Sequence, residues 1–347
     1  MRGGYFCVLI GLLLLGPIDA RAGQTKLRVT LQLPISNHLG TNLMQFKKEV
    51  ERRSDGAITV EIYDNSRLFS DNEALGAVSS GAIEMATITY QQLTKNVPAI
   101  GIFEQPFLFN FEALVRAAAD PSNEIRQLLD EAVLKATGTR VLWWQSYGSS
   151  VFFSKGQDAR QPDGIRGRKV RVFGENMAHF TRYCGGIPFL ISASKQHQAI
   201  KDGTVDMVMT GITGVDSREL WKVTDTITRT EHAALEFLVI INDRVWQSLD
   251  QRGKAVVSES SRMVEQDLRE RMADIEAKAY AFAREKGMKI YEPSPDDVME
   301  WRACSARLVE DYMKDAGQLA FRLMAAYGRL RTQPCCSTGP AGTFSLR

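Results

Sequence analysis

The sequence predicts an α/β protein of two similar lobes, each a sheet flanked by helices. Three observations predict this fold class. Short apolar strands alternate with amphipathic helices over most of the 347 residues. One helix–strand unit occurs twice, as SSGAIEMATIT at 79–89 and as KDGTVDMVMTG at 201–211. A charged stretch at 250–287, free of breakers after Gly253, predicts one long helix or two helices joined by a kink.

The first predicted elements follow one another at short spacing. In chain order they are a strand at 27–33, a helix at about 41–53, a strand at 57–64, a helix at 71–81 and a strand at 82–90. Because strands that alternate with helices need crossover connections, we expect a parallel sheet in each lobe. The long helix would extend roughly 45 Å, so it must contact both lobes or stand free of them.

The N-terminus has the pattern of an export signal. Arg2 precedes an apolar run at 5–15, and Ala20-Arg21-Ala22 has the small residues of a cleavage site. A retained anchor is the alternative, but the run is shorter than the roughly 20 residues that span a bilayer. We therefore expect residues 1–22 to be a signal peptide cleaved near Ala22, and a mature protein outside the cytoplasm without membrane insertion.

Composition excludes some classes of function. The formal net charge is +2, and a nearly balanced chain without a basic stripe does not predict a nucleic-acid binder. No nucleophile elbow, HExxH, phosphate loop or dinucleotide fingerprint is present, and the four histidines have no metal-ligand spacing. We expect no cofactor, no metal and no catalysis. A hydrolase assembled from residues distant in sequence stays open, because catalytic triads are spatial.

The cysteines and the C-terminus carry weaker signals. Cys184, Cys304, Cys335 and Cys336 remain after cleavage, and their spacing defines no disulfide framework. An oxidising compartment would permit disulfides, but the sequence favours free thiols. Residues 331–347 are rich in turn formers and have no periodicity, which predicts a disordered tail.

Arg171 is the strongest candidate binding residue. It lies between valines in KVRVF at 169–173, which reads as a strand covered on both faces. A buried guanidinium needs an anion. Either an internal Asp or Glu or a ligand carboxylate could supply it, and the planar guanidinium can hold a carboxylate with two parallel hydrogen bonds.

Five blocks of sequence carry a resemblance to a known family. In order they are ITVEIYDNSRL (58–68), GAIEMATI (81–88), VPAIGIFEQPFLF (97–109), QPDGIRGRKVRV (161–172) and AIKDGTVDM (199–207). They resemble the DctP-type extracytoplasmic solute receptors of tripartite ATP-independent periplasmic (TRAP) transporters. The resemblance implies a two-lobed periplasmic-binding-protein-like fold that closes by a hinge and is crossed by a long helix. It also implies a periplasmic receptor that delivers its ligand to a membrane permease.

The resemblance also implies boundaries and partners. Lobe I would comprise 24–147 and about 233–265, and lobe II would comprise 148–232 and about 266–330. The partners would be a small organic acid and the TRAP permease subunits, with the receptor itself a monomer. A sensor subunit of a signalling system is an alternative to the transport receptor, and a secreted hydrolase is a more distant one.

Arg171 matches the arginine with which the family holds a carboxylate. Where many relatives have a second arginine, this chain has Ser149, Ser150 or Val151, and where they have asparagine it has Thr210. One positive charge and one amide would then be missing. We therefore expect a less cationic, more apolar site that takes a monocarboxylate.

Further site candidates follow from the rule that ligands sit beyond the carboxyl ends of strands. Those candidates are Asn37, Thr89, Tyr90, Gln91, Tyr147, Ser150 and Phe173. The aromatic members fit the core equally well.

Overall fold

The computed structural model describes residues 24–337. The predicted signal peptide and residues 338–347 of the predicted tail lie outside this part of the chain. Among the described residues, no helix is both long enough and apolar enough to span a membrane.

Ten strands form the sheet of the described chain. They are β1 (Thr25–Leu31), β2 (Ile58–Tyr63), β3 (Met85–Thr89), β4 (Thr139–Ser154), β5 (Lys169–Val172), β6 (Ile187–Leu190), β7 (Met207–Gly211), β8 (Thr226–Thr228), β9 (Ala234–Asn242) and β10 (Lys289–Tyr291). The order is β2-β1-β3-β9-β4-β7-β5-β6, and β8 pairs with both β4 and β10.

Strand β4 joins two half-sheets. Its residues from Thr139 to Ser149 pair with β9, whereas Ser150 to Ser154 pair with β7. We call β2, β1, β3 and β9 the first half-sheet. We call β7, β5 and β6, together with β8 and β10, the second half-sheet. Two buried apolar clusters lie on the first half-sheet and two on the second.

The expectation of wholly parallel sheets is wrong. The outer strands are parallel, but β9 is antiparallel to β3 and β4, and β4 is antiparallel to β7. The long strands β4 and β9 lie side by side in the middle of the sheet and run in opposite directions. Each of them is therefore antiparallel to the parallel strands of one half-sheet. Strand pattern alone does not reveal strand direction.

Eleven α-helices accompany these strands in the described chain. They are α1 (His38–Arg53), α2 (Asp71–Ser80), α3 (Glu112–Ala118), α4 (Glu124–Thr137), α5 (Glu175–Tyr183), α6 (Gln196–Lys201), α7 (Gly214–Ser217), α8 (Asp243–Ser248), α9 (Gln251–Glu285), α10 (Pro295–Ser305) and α11 (Arg307–Arg331).

The repeated unit occurs once in each half. In the first half α2 begins with a capping box between Ser70 and Glu73 and ends at Gly81, which adopts a left-handed conformation with φ of 85°. In the second half α6 leads through Gly203, with φ of 71°, into β7. The mixed α/β fold with a helix-flanked sheet is thus the predicted fold class.

The predicted long helix is a single helix, α9, of 35 residues. The Asp250 side chain caps it by accepting a hydrogen bond from the Gly253 amide at 2.6 Å. Val257 and Leu268 pack in a cluster of the first half, and Ala283 packs in a cluster of the second. Because it contacts both half-sheets, the helix crosses them rather than standing free.

Two expectations about cysteines and the tail need correction. Cys184 and Cys304 form a disulfide that joins the end of α5 to α10, although 120 residues separate them in sequence. The predicted tail begins too early, because α11 runs to Arg331 and Cys336 is buried in a cluster of the first half. Both features depend on contacts with distant segments, so local composition does not show them.

Candidate ligand-binding site

Residues from both half-sheets line one pocket with about 410 Å³ of empty space, part of it open to solvent. The first half contributes Gln32, Asp71, Thr89, Gln91, Gln92, Leu235, Glu236 and Phe237, and the second half contributes Arg171, Phe173, Ala193, Gln196, Thr210 and Arg218. Tyr147, on β4, lies between them.

Arg171 is buried and is held by neutral groups. Its Nε donates to the carbonyl of Ile191 at 2.7 Å, and Nη1 donates to the carbonyl of Met209 at 2.9 Å. The Gln196 amide oxygen accepts from Nη1 at 2.9 Å and from Nη2 at 3.3 Å when the amide faces the guanidinium with its oxygen. No Asp or Glu among residues 24–337 forms an ion pair with Arg171. The guanidinium is therefore rigidly placed but not neutralised.

Arg218 brings a second cation into the pocket. Its Nη2 donates to the Thr210 hydroxyl at 2.9 Å, and its guanidinium lies 5.8 Å from the centre of the Tyr147 ring. Gly214 permits this close approach, because a Cβ there would lie 2.2 Å from Nη2 of Arg218. The pKa of Arg171 is lowered to about 9, mainly by burial and secondly by the positive charge of Arg218. Two adjacent cations strongly favour an anion between them.

This geometry overturns the expectation of a less cationic, more apolar site. The position at which the resemblance implies a second arginine has no cation here, but Arg218, directly after α7, brings one into the pocket. The amide that Thr210 lacks is likewise supplied by Gln196. A signal was available, since Arg218 follows soon after the end of β7, on the ligand side of the sheet. The family blocks and the strand-end rule both stop short of residue 218, so Arg218 was not among the predicted site residues.

Six of the nine predicted site residues line the pocket, and three do not. Those that do are Thr89, Gln91, Tyr147, Arg171, Phe173 and Thr210. Tyr90 instead lies in the core, where its hydroxyl donates to the Ala234 carbonyl at 2.7 Å. Asn37 caps α1, and Ser150 is buried in the β4–β7 ladder opposite Gly211. Tyr90 stabilises the core and Asn37 caps a helix. A rule based on strand ends cannot distinguish such structural residues from ligand-binding residues.

One acidic pocket residue is already neutralised. Glu236 accepts hydrogen bonds from Nη1 and Nη2 of Arg269 at 3.2 and 2.9 Å. Arg269 also lies 3.6 Å from Glu265, which in turn accepts from Arg126 at 2.8 Å. This buried network anchors the long helix beneath the pocket. Asp71 has no such partner among the described residues.

A hydrogen bond to a titratable carboxyl group joins the two half-sheets beside the pocket. Glu104, at the end of a 3-10 helix (Pro98–Glu104), is fully buried and accepts a hydrogen bond from Asn176 of α5 at 2.6 Å. Burial raises the pKa of Glu104 to about 8. The carboxyl group is therefore protonated at neutral pH and needs no cation.

We expect Glu104→Gln to reduce the loss of thermal stability between pH 5 and pH 8. The folded protein keeps the Glu104 proton up to about pH 8, whereas the unfolded chain releases it near 4.5. Across this window the folded state holds the extra proton, so raising the pH lowers the free energy of unfolding. Melting temperatures at both pH values measure the effect, with exposed Glu300→Gln as the control. An unaltered pH difference in Glu104→Gln would contradict this assignment.

Comparison with known proteins identifies the family. The model of bacterial extracellular solute-binding protein family 7 (DctP) matches residues 32–315. A solute-binding protein of Verminephrobacter eiseniae is 27% identical over 275 residues, which cover 78% of this chain and 80% of that protein.

Solved structures have the same fold. An extracytoplasmic solute receptor of Bordetella pertussis that binds pyroglutamic acid, DctP7, superposes with a TM-score of 0.81 at 23% identity, covering 88% of this chain and 99% of that one. The sugar acid binding protein DctPAm of Advenella mimigardefordensis, in complex with galactonate, gives 0.83 at 21%, covering 89% and 99%. The chain therefore belongs to family 7 of the bacterial extracellular solute-binding proteins, the DctP-type substrate-binding proteins of TRAP transporters.

Proposed function

We propose that the protein is a non-catalytic periplasmic receptor that captures a small organic acid and delivers it to a TRAP membrane permease for secondary-active uptake. The observation that carries this proposal is the pair of buried guanidiniums, Arg171 and Arg218, in one pocket. Neither forms an ion pair with an Asp or Glu of the described chain. A ligand carboxylate supplies the missing negative charge.

The carboxylate would bridge the two arginines. Gln196 occupies the edge of Arg171 formed by Nη1 and Nη2, so the two parallel bonds expected of Arg171 alone are not free in this geometry. Nε of Arg218 is buried and has no hydrogen-bond partner among the described residues. A carboxylate that uses the remaining Nη2 hydrogen of Arg171 and Nε of Arg218 satisfies both cations.

The ligand would carry one carboxylate. Beyond the arginines, Asp71 is the unneutralised charge of the pocket, and a second carboxylate near it would be repelled. The similar receptors described above bind pyroglutamic acid and galactonate, which have one carboxylate each, whereas a similar receptor of Sulfurospirillum deleyianum has bound succinate, which has two. The choice of a monocarboxylate therefore rests on the charge of Asp71, and a neutral polar body is favoured over an apolar one because most residues that line the pocket are polar.

Ligand capture would close the two lobes on each other. We assign lobe I to residues 24–147 and about 233–265, and lobe II to 148–232 and about 266–330. The chain crosses between them in β4 at Gly148, whose φ of 86° and adjacent register shift interrupt the regular strand. Such an interruption is a natural hinge, because few backbone angles need to change.

Two measurements on one sample test the proposal. Mass spectrometry of the small molecule released on denaturation should identify an acid with one carboxylate. Adding that acid back to the ligand-free protein should lower the radius of gyration in small-angle scattering. Release of a molecule without an acid group, an unchanged radius at saturation, or sustained chemical conversion of the acid would contradict the proposal.

A further inference from the structure

We propose that the ligand is a hydroxylated carboxylic acid, and that Asp71 and Gln32 recognise its hydroxyl groups. This inference rests on the proposed function, in which Arg171 and Arg218 hold the carboxylate. It adds the chemistry of the other end of the ligand and names the residues that select it.

The pocket contains acceptor atoms that the protein does not satisfy. Oδ1 of Asp71 and Oε1 of Gln32 are buried and have no hydrogen-bond partner within residues 24–337. The two residues are only 8% and 4% exposed, and both line the pocket. Because buried polar atoms in native proteins are nearly always paired, each oxygen needs a donor from outside the protein, either water or a ligand in the pocket. A hydroxyl group is such a donor.

A structural role does not account for Asp71. It is the first residue of α2, where a carboxylate can interact with the helix dipole. The capping of α2 is performed by Ser70 and Glu73, whose side chains form the capping box. Asp71 takes part in no ion pair with Arg171 or Arg218 in the described chain. Its carboxylate is therefore available to a ligand.

The charges of the pocket favour hydroxyl groups over an ammonium group. Arg171 and Arg218 are opposed only by Asp71, because Glu236 is neutralised by Arg269. One positive charge remains, and a hydroxylated monocarboxylate neutralises it. An amino acid is a zwitterion without net charge and would leave that positive charge buried.

Hydroxyl groups also suit the other unpaired atoms. Tyr147 and Thr89 line the pocket, and their hydroxyls are buried without a hydrogen-bond partner in the described part of the chain. Each can donate or accept, and a ligand hydroxyl can do the same. An ammonium group only donates. An alkyl chain would leave all four side chains, Gln32, Asp71, Thr89 and Tyr147, unsatisfied.

The test is calorimetric titration of the ligand-free protein with two matched sets of acids. The four-carbon set is butanoate, erythronate, 2-aminobutanoate and succinate, and the six-carbon set is hexanoate, galactonate, 2-aminohexanoate and adipate. We expect the hydroxylated acid to bind most tightly in at least one set. Its advantage over the unsubstituted acid should be about 100-fold or more, since a site that hydrogen-bonds a hydroxyl rejects analogues that lack it.

A variant assigns that preference to Asp71. Asp71→Asn should weaken binding of the hydroxylated acid about tenfold or more, because it replaces a charged acceptor with a neutral one. Because the same change removes a negative charge from the pocket, binding of the unsubstituted acid should strengthen, so the ratio of the two affinities is the readout. The ligand-free variant should melt no lower than the wild type. Asp274→Asn, at an exposed position on α9, is the matched control and should change nothing.

The outcomes separate this inference from the proposed function. If unsubstituted or amino acids bind as tightly as hydroxylated ones, or if Asp71→Asn leaves the preference intact, the inference is wrong while the receptor function stands. A fall in the melting temperature of Asp71→Asn without a change in preference assigns Asp71 a structural role and also overturns it. If no acid of either set binds, this inference fails, and the proposed function fails with it only if the protein also releases no acid on denaturation.

Discussion

Arg171→Ala should weaken binding of the acid by about 10- to 100-fold while leaving the ligand-free fold intact. Hydrogen bonds to charged groups contribute about 1.5 to 3 kcal/mol each, and the substitution removes the cation that the carboxylate contacts. The ligand-free protein loses two bonds to backbone carbonyls, of Ile191 and Met209. Removal of an unneutralised buried charge next to Arg218 offsets that loss. Calorimetric titration and thermal melting measure the two effects separately.

Related variants refine this prediction. Arg171→Lys keeps the charge but cannot contact Ile191, Met209 and a ligand at once, so we expect intermediate affinity. Arg218→Gln should weaken binding less than Arg171→Ala, because it keeps a polar side chain near Thr210. Arg182→Ala, exposed on α5, is the control. A loss of about 3 to 5 kcal/mol of ligand-free stability in Arg171→Ala would instead indicate an internal carboxylate partner and contradict the assignment.

Replacing Cys184 and Cys304 by serine should lower the free energy of unfolding by about 2 to 5 kcal/mol. The disulfide closes a loop of 120 residues, and a crosslink over so long a loop removes much of the conformational freedom of the unfolded chain. Neither cysteine lines the pocket, so acid binding should persist. Urea denaturation of the wild type and the double variant measures the change.

The reducing agent provides an internal control for the disulfide. Reduction should destabilise the wild type by the same amount and leave the double variant unchanged. Cys335→Ser removes an exposed free thiol and should have no effect. If the double variant unfolds at the wild-type urea concentration, the disulfide contributes nothing to stability and the prediction is wrong.

Elements of secondary structure were largely predictable because their causes are local. The apolar face of α1, with Leu43, Phe46 and Val50, repeats at helical spacing and is buried. The long helix α9 follows from a breaker-free stretch with a capping Asp250. Strand direction was not predictable in the same way, since the antiparallel placement of β9 depends on partners more than 80 residues away in sequence, among them β4.

The candidate site was predicted in part. Arg171 stood out because a charged residue among valines has no local explanation, and the structure buries it without an acid partner. Arg218 and Asp71 did not stand out, because charged residues in short polar segments usually face solvent. Only their burial within one pocket distinguishes them.

What the sequence by itself determined is therefore the order and type of most elements, the long helix, the buried cation at Arg171 and the family, through blocks of residues in a constant order. The tertiary structure alone decided the pairing of Cys184 with Cys304, the mixed direction of the sheet, and the meeting of Arg171, Arg218 and Asp71 in one pocket. The physical reason is range: helices and strands are specified by neighbours a few residues apart, whereas a pocket is defined by which distant side chains fold into contact and lose their water together.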